Sequence, residues 1–217
     1  MSGKIAGGLL VLLLMGTNTL CRADDLTGSG GVGFRGGTLF FTKDPTIAAD
    51  SQPRLSGDFV MSYVWTDHIT ADVTVGWGWN RLDTGNDNFW IANVVPLFPI
   101  GARYRFRDGS TMRPFLGGGG GLYNWSILTK DLGAAKDPVT YERLRKVDFG
   151  AYGIAGVERT MSKHITMVAD GNYTYIFADN AEQFPSGYSG PKAYFQVRLG
   201  VTFWFSLSER VDTGLPE

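Results

Sequence analysis

The residues able to do chemistry in this 217-residue chain are few, and most are charges set in otherwise apolar segments. Asp58, Asp72, Arg103, Arg105, Glu158, Asp170 and Arg198 each occupy the polar parity of a stretch whose alternate positions are apolar or aromatic. Charges removed from water must be paired, and this set contains both signs. Two chemistries fit: a polar conduit with a charged gate, or a salt-bridge network that fills an interior and fixes strand register. The packed network is the expectation where the interior is narrow. Arg35 is a further candidate, in a less regular segment.

His68 and His164 are the only histidines, in the matched contexts Thr66-Asp67-His68-Ile69-Thr70 and Ser162-Lys163-His164-Ile165-Thr166. Imidazoles serve as metal ligands or general bases, but the repeated context reads as two equivalent turns. The glycine run from Gly117 to Gly121 lacks the following Lys-Ser/Thr and the helix of a phosphate loop. In a strand such a run marks close approach or sharp curvature. Asn124-Trp125-Ser126 and Asn172-Tyr173-Thr174 match the glycosylation pattern, yet both fall inside strands. No catalytic, cofactor or metal constellation emerges.

The elements that carry these residues are strands. The chain holds 30 Gly and 13% aromatics beside 43% hydrophobic residues, a pairing that suits strands and turns. Leu55, Gly57, Phe59, Met61, Tyr63 and Trp65 share one face, opposite Ser56, Asp58, Val60, Ser62, Val64 and Thr66. After Asp67-His68 the pattern resumes from Ile69 to Trp79, which makes an antiparallel hairpin. Segments from Phe98 to Phe106, Phe115 to Trp125, Val147 to Thr160, Ile165 to Phe177 and Tyr194 to Phe205 continue the period, and a first strand runs over about 30–42. Eight strands result, each near or above the roughly 9–11 residues of a tilted membrane strand. Residues 67–68, 107–111 and 161–164 are tight connections, whereas 43–52, 83–88, 129–146 and 179–192 are long and polar.

Volume decides which face is outside. The interior of an eight-stranded barrel is only just wide enough for side chains. Trp65, Trp77, Trp79, Phe59, Tyr104, Phe106, Phe203 and Phe205, with Phe115, Tyr123 and Trp125, cannot all fit within it. The bulky face is therefore expected outward, in lipid, with its aromatics gathered into belts near both ends of the strands. The expected fold class is all-β: an eight-stranded antiparallel up-and-down transmembrane β-barrel over residues 24–206.

Residues 1–23 read as a cleaved signal peptide: a basic start through Lys4, an apolar run from Ile5 to Met15, and small residues before a site after Ala23. The apolar run is shorter than the roughly 20 residues that a spanning helix needs. Leu20 stands where a lipoprotein signal wants a small residue before Cys21, the single cysteine. Cleavage removes Lys4 and Arg22, leaving 18 basic and 21 acidic residues and a net charge of −3. With no basic excess, nucleic acid is not an expected partner.

The pattern resembles the small eight-stranded outer-membrane barrels of the OmpA/OmpX type and the broader outer-membrane β-barrel domain family. The sharpest match is Arg198-Leu199-Gly200-Val201-Thr202-Phe203-Trp204-Phe205. In it Arg198, Gly200, Phe203 and Phe205 resemble the C-terminal assembly signal of that class. Family members end at the final aromatic; here a polar tail, 207–217, follows. The resemblance implies an outer-membrane monomer that meets the barrel-assembly machinery during insertion and lives among outer-membrane lipid and lipopolysaccharide. It further implies a non-enzymatic scaffold or surface-interaction protein acting through its loops, without cofactor or metal. One rival is a narrow pore or apolar-ligand conduit of the OmpW kind. Another is a lipid-active enzyme, but the histidines that such barrels place near the outer face have no counterpart here. The expected mature chain begins at Asp24, so an intact-mass measurement should show that terminus without lipid; a diacylglyceryl-modified Cys21 would contradict the assignment.

Overall fold

A computed structural model describes residues 26–43, 50–83, 89–106, 112–178, 184–185 and 190–206. The expected signal peptide and polar tail lie outside the described residues. Eight strands follow in order: β1 (Ser29–Lys43), β2 (Asp50–Val64), β3 (Ile69–Asp83), β4 (Phe89–Arg105), β5 (Met112–Thr129), β6 (Arg145–Ser162), β7 (Ile165–Ile176) and β8 (Ala193–Ser206). Each pairs antiparallel with its chain neighbours, and β8 closes on β1, so the sheet has no free edge. Closure satisfies the backbone of every strand, the condition for crossing a bilayer with strands.

The ends of the barrel differ. Val64 and Ile69 are joined by four residues, with the Thr66 hydroxyl accepting from the Ile69 N–H at 3.0 Å. Ser162 and Ile165 are joined by two. Both histidines sit in these turns, and each ties to a neighbouring strand: His68 Nδ1–H donates to the Arg105 carbonyl at 2.9 Å, and His164 Nδ1–H to the Trp204 carbonyl at 3.2 Å. They are turn residues, tied down at one end of the barrel. At the opposite end, residues 130–144 form a folded loop that bridges back on itself, Leu128 to Ala134 and Lys136 to Arg143.

Most of the bulky parity lies outside, as volume requires. Phe59, Trp77, Trp79, Tyr104, Phe203 and Phe205 are all exposed on the outer wall. Strand β5 is the exception. Phe115 and Tyr123 are 2% exposed and Trp125 is fully buried in the lumen, whereas Leu116 and Leu122 stand outside at 56% and 49%. The expectation for these three aromatics is therefore corrected, and register gives the reason. Phe115 pairs with Arg105, and Gly117 with Arg103; side chains paired across a ladder share a face, so inward arginines force inward aromatics. Room for them comes from glycine. A β-carbon on Gly150 would stand 2.8 Å from the Tyr123 ring, and one on Gly190 would stand 2.4 Å from the Trp125 indole.

Strand β4 reaches this register through an irregularity at Leu97/Ile100, where Phe98 takes a left-handed φ of 52° between Pro96 and Pro99. Both prolines point inward and Phe98 is exposed. A β4 without the bulge would carry Arg103 and Arg105 to the lipid face. The corrected parity is testable in lipid vesicles containing brominated chains. A fluorophore on Leu116→Cys or Leu122→Cys should be quenched, and one on Phe115→Cys should not; the reverse pattern would restore the other face.

Candidate functional site

The lumen is built in two halves of different chemistry. In the half near the tight turns lie Arg35, Asp58, Asp72, Arg103, Arg105, Glu158, Asp170 and Arg198, each no more than 5% exposed. Six strands supply the seven charges read from the sequence, and β1 adds Arg35.

The charges form two clusters. In the first, Arg198 Nε donates to Asp170 Oδ1 at 2.8 Å and Arg198 Nη1 to Asp58 Oδ2 at 2.7 Å, while Arg35 Nη1 lies 3.5 Å from Asp170 Oδ2. One guanidinium thus ties β8 to its neighbour β7 and to β2, which does not adjoin β8. In the second cluster Arg103 grips Asp72 with Nε and, at 3.0 Å, with Nη2, and reaches Glu158 Oε2 at 3.4 Å. Arg105 takes the other oxygen of Glu158 at 3.3 Å and donates to Thr70 Oγ1 at 2.6 Å. Ser62 completes Asp72 with a 2.7 Å hydrogen bond. The Arg103 guanidinium also lies over the Phe115 ring, 5.1 Å from its centre.

Register places these partners. Arg35 stands opposite Asp58, and Asp170 opposite Arg198; a slip of one residue would carry a charge into the lipid face. Arg113, opposite Glu158 and 4% exposed, is an inward charge missing from the sequence reading. Its parity follows from that of Arg103 and Arg105 once β4 and β5 are aligned.

The half nearer the folded loop is apolar. Leu39, Val94, Tyr123, Trp125, Ile127, Ile176 and Tyr194 fill it from the strands. Ala135 and Leu144 enter from the folded loop, and Phe184 comes from the β7–β8 connection. Phe184 meets Trp125 edge-on at 6.0 Å between ring centres, and the indole N–H donates to Asp148 Oδ2 at 2.6 Å. The loop is held at its base: Ile127 N–H donates to Leu144 O at 2.9 Å, Ala135 N–H to Ile127 O at 2.9 Å, and Leu144 N–H to Ala135 O at 2.8 Å. This plug was not expected from the polar parity, because the residues that complete it come from loops without periodicity.

Between the halves is a cavity of about 20 Å³, lined by Arg35, Asp58, Asp72, Arg198, Tyr123, Tyr152 and Tyr194 among others. That is room for about one water. Among the described residues no group of three or more His, Cys, Asp or Glu is placed to hold a metal ion.

Closed antiparallel topology, an apolar outer wall and a charged, packed lumen make up the fold that small eight-stranded outer-membrane barrels share. Neisserial surface protein A has a similar structure, with a TM-score of 0.55, 14% identity, and 82% of this chain covered against 98% of that one. OprG of Pseudomonas aeruginosa aligns over 82% of this chain and 96% of its own at 9% identity and a TM-score of 0.48. Outer membrane protein W of E. coli aligns over 81% and 98% at 17% identity and a TM-score of 0.46. At such identities the likeness is one of fold. No protein-family model and no curated protein matches the chain.

Removing one member of a buried pair strands the others, typically at a cost of about 3–5 kcal/mol. Arg103→Met leaves Asp72 and Glu158 without their shared guanidinium. It should lower the stability of the folded barrel by about that amount in urea unfolding from lipid vesicles, whereas Lys163→Met in an exposed turn should leave the midpoint in place.

Proposed function

We propose that this protein is a non-enzymatic outer-membrane barrel that serves as a membrane scaffold and presents its long loops for surface interaction. The observation that carries the reading is the filled lumen: paired charges in one half, an apolar plug in the other, and about 20 Å³ between them. Tight turns mark the periplasmic end in barrels of this type and longer loops the outer end, so the folded loop faces outward.

That loop is constructed to hold a shape. The Asp137 carboxylate accepts from the Val139 and Thr140 N–H groups at 2.8 and 2.9 Å, and Asp137 N–H donates to Glu142 O at 2.8 Å. On this frame Leu132, Val139 and Tyr141 stand exposed, and Leu132 and Tyr141 take left-handed φ values of 61° and 60°. Non-glycine residues adopt that backbone at a cost that recurs at functional surfaces. Large apolar side chains held out on a braced loop suit contact with another macromolecule.

In this reading the charge clusters hold register and exclude solutes. Arg198, Gly200, Phe203 and Phe205 act in assembly: Phe203 and Phe205 face outward at the tight-turn end, where an insertion machinery meets the closing strand. The histidines take no catalytic part, being bound to backbone carbonyls at the turn end.

Planar-bilayer recording tests the reading. The wild type should be nearly silent, and Arg198→Ala, which removes the guanidinium shared by Asp58 and Asp170 and leaves Asp170 with Arg35, should conduct more and unfold at lower urea. Steady wild-type conductance with an unchanged unfolding midpoint in Arg198→Ala would replace the scaffold with a pore.

A further inference from the structure

At the loop-end rim the outer wall of β2, β3 and β4 carries a charged group, on a wall otherwise mostly apolar and aromatic. Arg81 stands opposite Gln52 on β2 and Ile91 on β4, and Asp83 stands opposite Phe89. Arg81 Nε lies 3.0 Å from Asp83 Oδ1, and its guanidinium carbon lies 4.3 Å over the Phe89 ring. Gln52 Nε2 donates to the second oxygen of Asp83 at 2.9 Å, and its own carbonyl accepts from Arg54 Nη2 at 3.3 Å. A register shift between Pro53 and Ser56 brings the exposed Arg54 to the same place. Asp83 therefore holds Arg81 directly, and Arg54 joins the group through Gln52.

Beside it is a pocket of about 190 Å³ lined by Arg54, Trp79, Asn80, Arg81, Phe89 and Ile91. Two guanidiniums line it beside the apolar Trp79, Phe89 and Ile91, a combination suited to an amphiphile with an anionic head. Depth agrees with this. Trp79 belongs to the aromatic belt, which sits at headgroup level. Arg81 is two residues nearer the loop end, roughly 7 Å along the strand, where the phosphates of an outer-leaflet lipid lie. Guanidiniums bind phosphate with parallel hydrogen bonds.

We propose that this rim is a binding site for a phosphorylated glycolipid of the outer leaflet. Arg54 and Arg81 hold a headgroup phosphate, and Trp79, Phe89 and Ile91 take the start of an acyl chain. Asp83 and Gln52 orient the two guanidiniums, and Asp83 sets a limit on how many phosphates the rim accepts. The inference rests on the outer-membrane placement proposed above.

The test uses the full mature chain in detergent, titrated by native mass spectrometry with bisphosphorylated lipid A and with the same lipid stripped of its phosphates. Wild type should retain the bisphosphorylated lipid at least about tenfold better than the stripped one. The Arg54→Gln/Arg81→Gln double variant should lose that preference, and Arg143→Gln/Arg145→Gln should keep it. Millimolar inorganic phosphate should not compete, since Trp79, Phe89 and Ile91 contribute to binding. Equal retention of the two lipids by wild type, an undiminished preference in the double variant, or full competition by free phosphate would each overturn the site. Insertion of wild type into vesicles, read by the heat-dependent shift on a detergent gel, is scored separately: a chain that does not insert removes the outer-membrane reading and the site together, whereas one that inserts without lipid preference removes the site alone.

Discussion

A guanidinium taken out of water demands a carboxylate, and in this barrel that demand is met across the lumen as well as between neighbouring strands. Arg198 on β8 holds Asp170 on β7 and Asp58 on β2, and Arg103 on β4 holds Asp72 on β3 and Glu158 on β6. Backbone pairing closes the cylinder, but many registers satisfy backbone pairing equally well. The charge clusters discriminate among them, because a one-residue slip exchanges lumen for lipid at every position. The bulge in β4 at Leu97/Ile100 and the inward face of β5 are subordinate to the same requirement: both keep Arg103 and Arg105 within reach of carboxylates.

The two halves of the lumen divide the work of filling a narrow tube. Charged side chains span it where all eight strands bring acids and bases together, and rings fill it where glycines make room. The loop segment carrying Ala135 and Leu144 is part of that packing, so the folded loop is anchored by the same core that fills the barrel. A loop joined to the interior in this way keeps its shape, which connects the stability of the lumen to the conformation of the loop.

Much of the fold is legible in the alternation of residues, because one face of each strand must dissolve in lipid. Leu55 to Trp65 and Ile69 to Trp79 show the period without ambiguity, and the turn between them is short enough to dictate antiparallel pairing. The inward parity of Asp58, Asp72, Arg103 and Arg198 is readable for the same reason. Which carboxylate each arginine meets is not readable, since it depends on stagger around a closed sheet. Bulk misleads on β5: Phe115, Tyr123 and Trp125 look like lipid-facing residues until their pairing with β4 is known. The plug is hidden too, because Ala135, Leu144 and Phe184 lie in loops where no periodicity reports burial.

The central claim is that cross-lumen pairing holds the barrel in register, and a double-mutant cycle on Asp58 and Arg198, which lie on strands that do not adjoin, measures it most directly. Asp58→Asn, Arg198→Gln and the double variant would be unfolded by urea from lipid vesicles. Side chains in one buried network couple by about 0.5–3 kcal/mol, whereas independent sites add to within about 0.3–0.5 kcal/mol. The structure predicts coupling in the upper part of the first range, with the double variant recovering much of what the single variants lose. Additive losses would contradict the account.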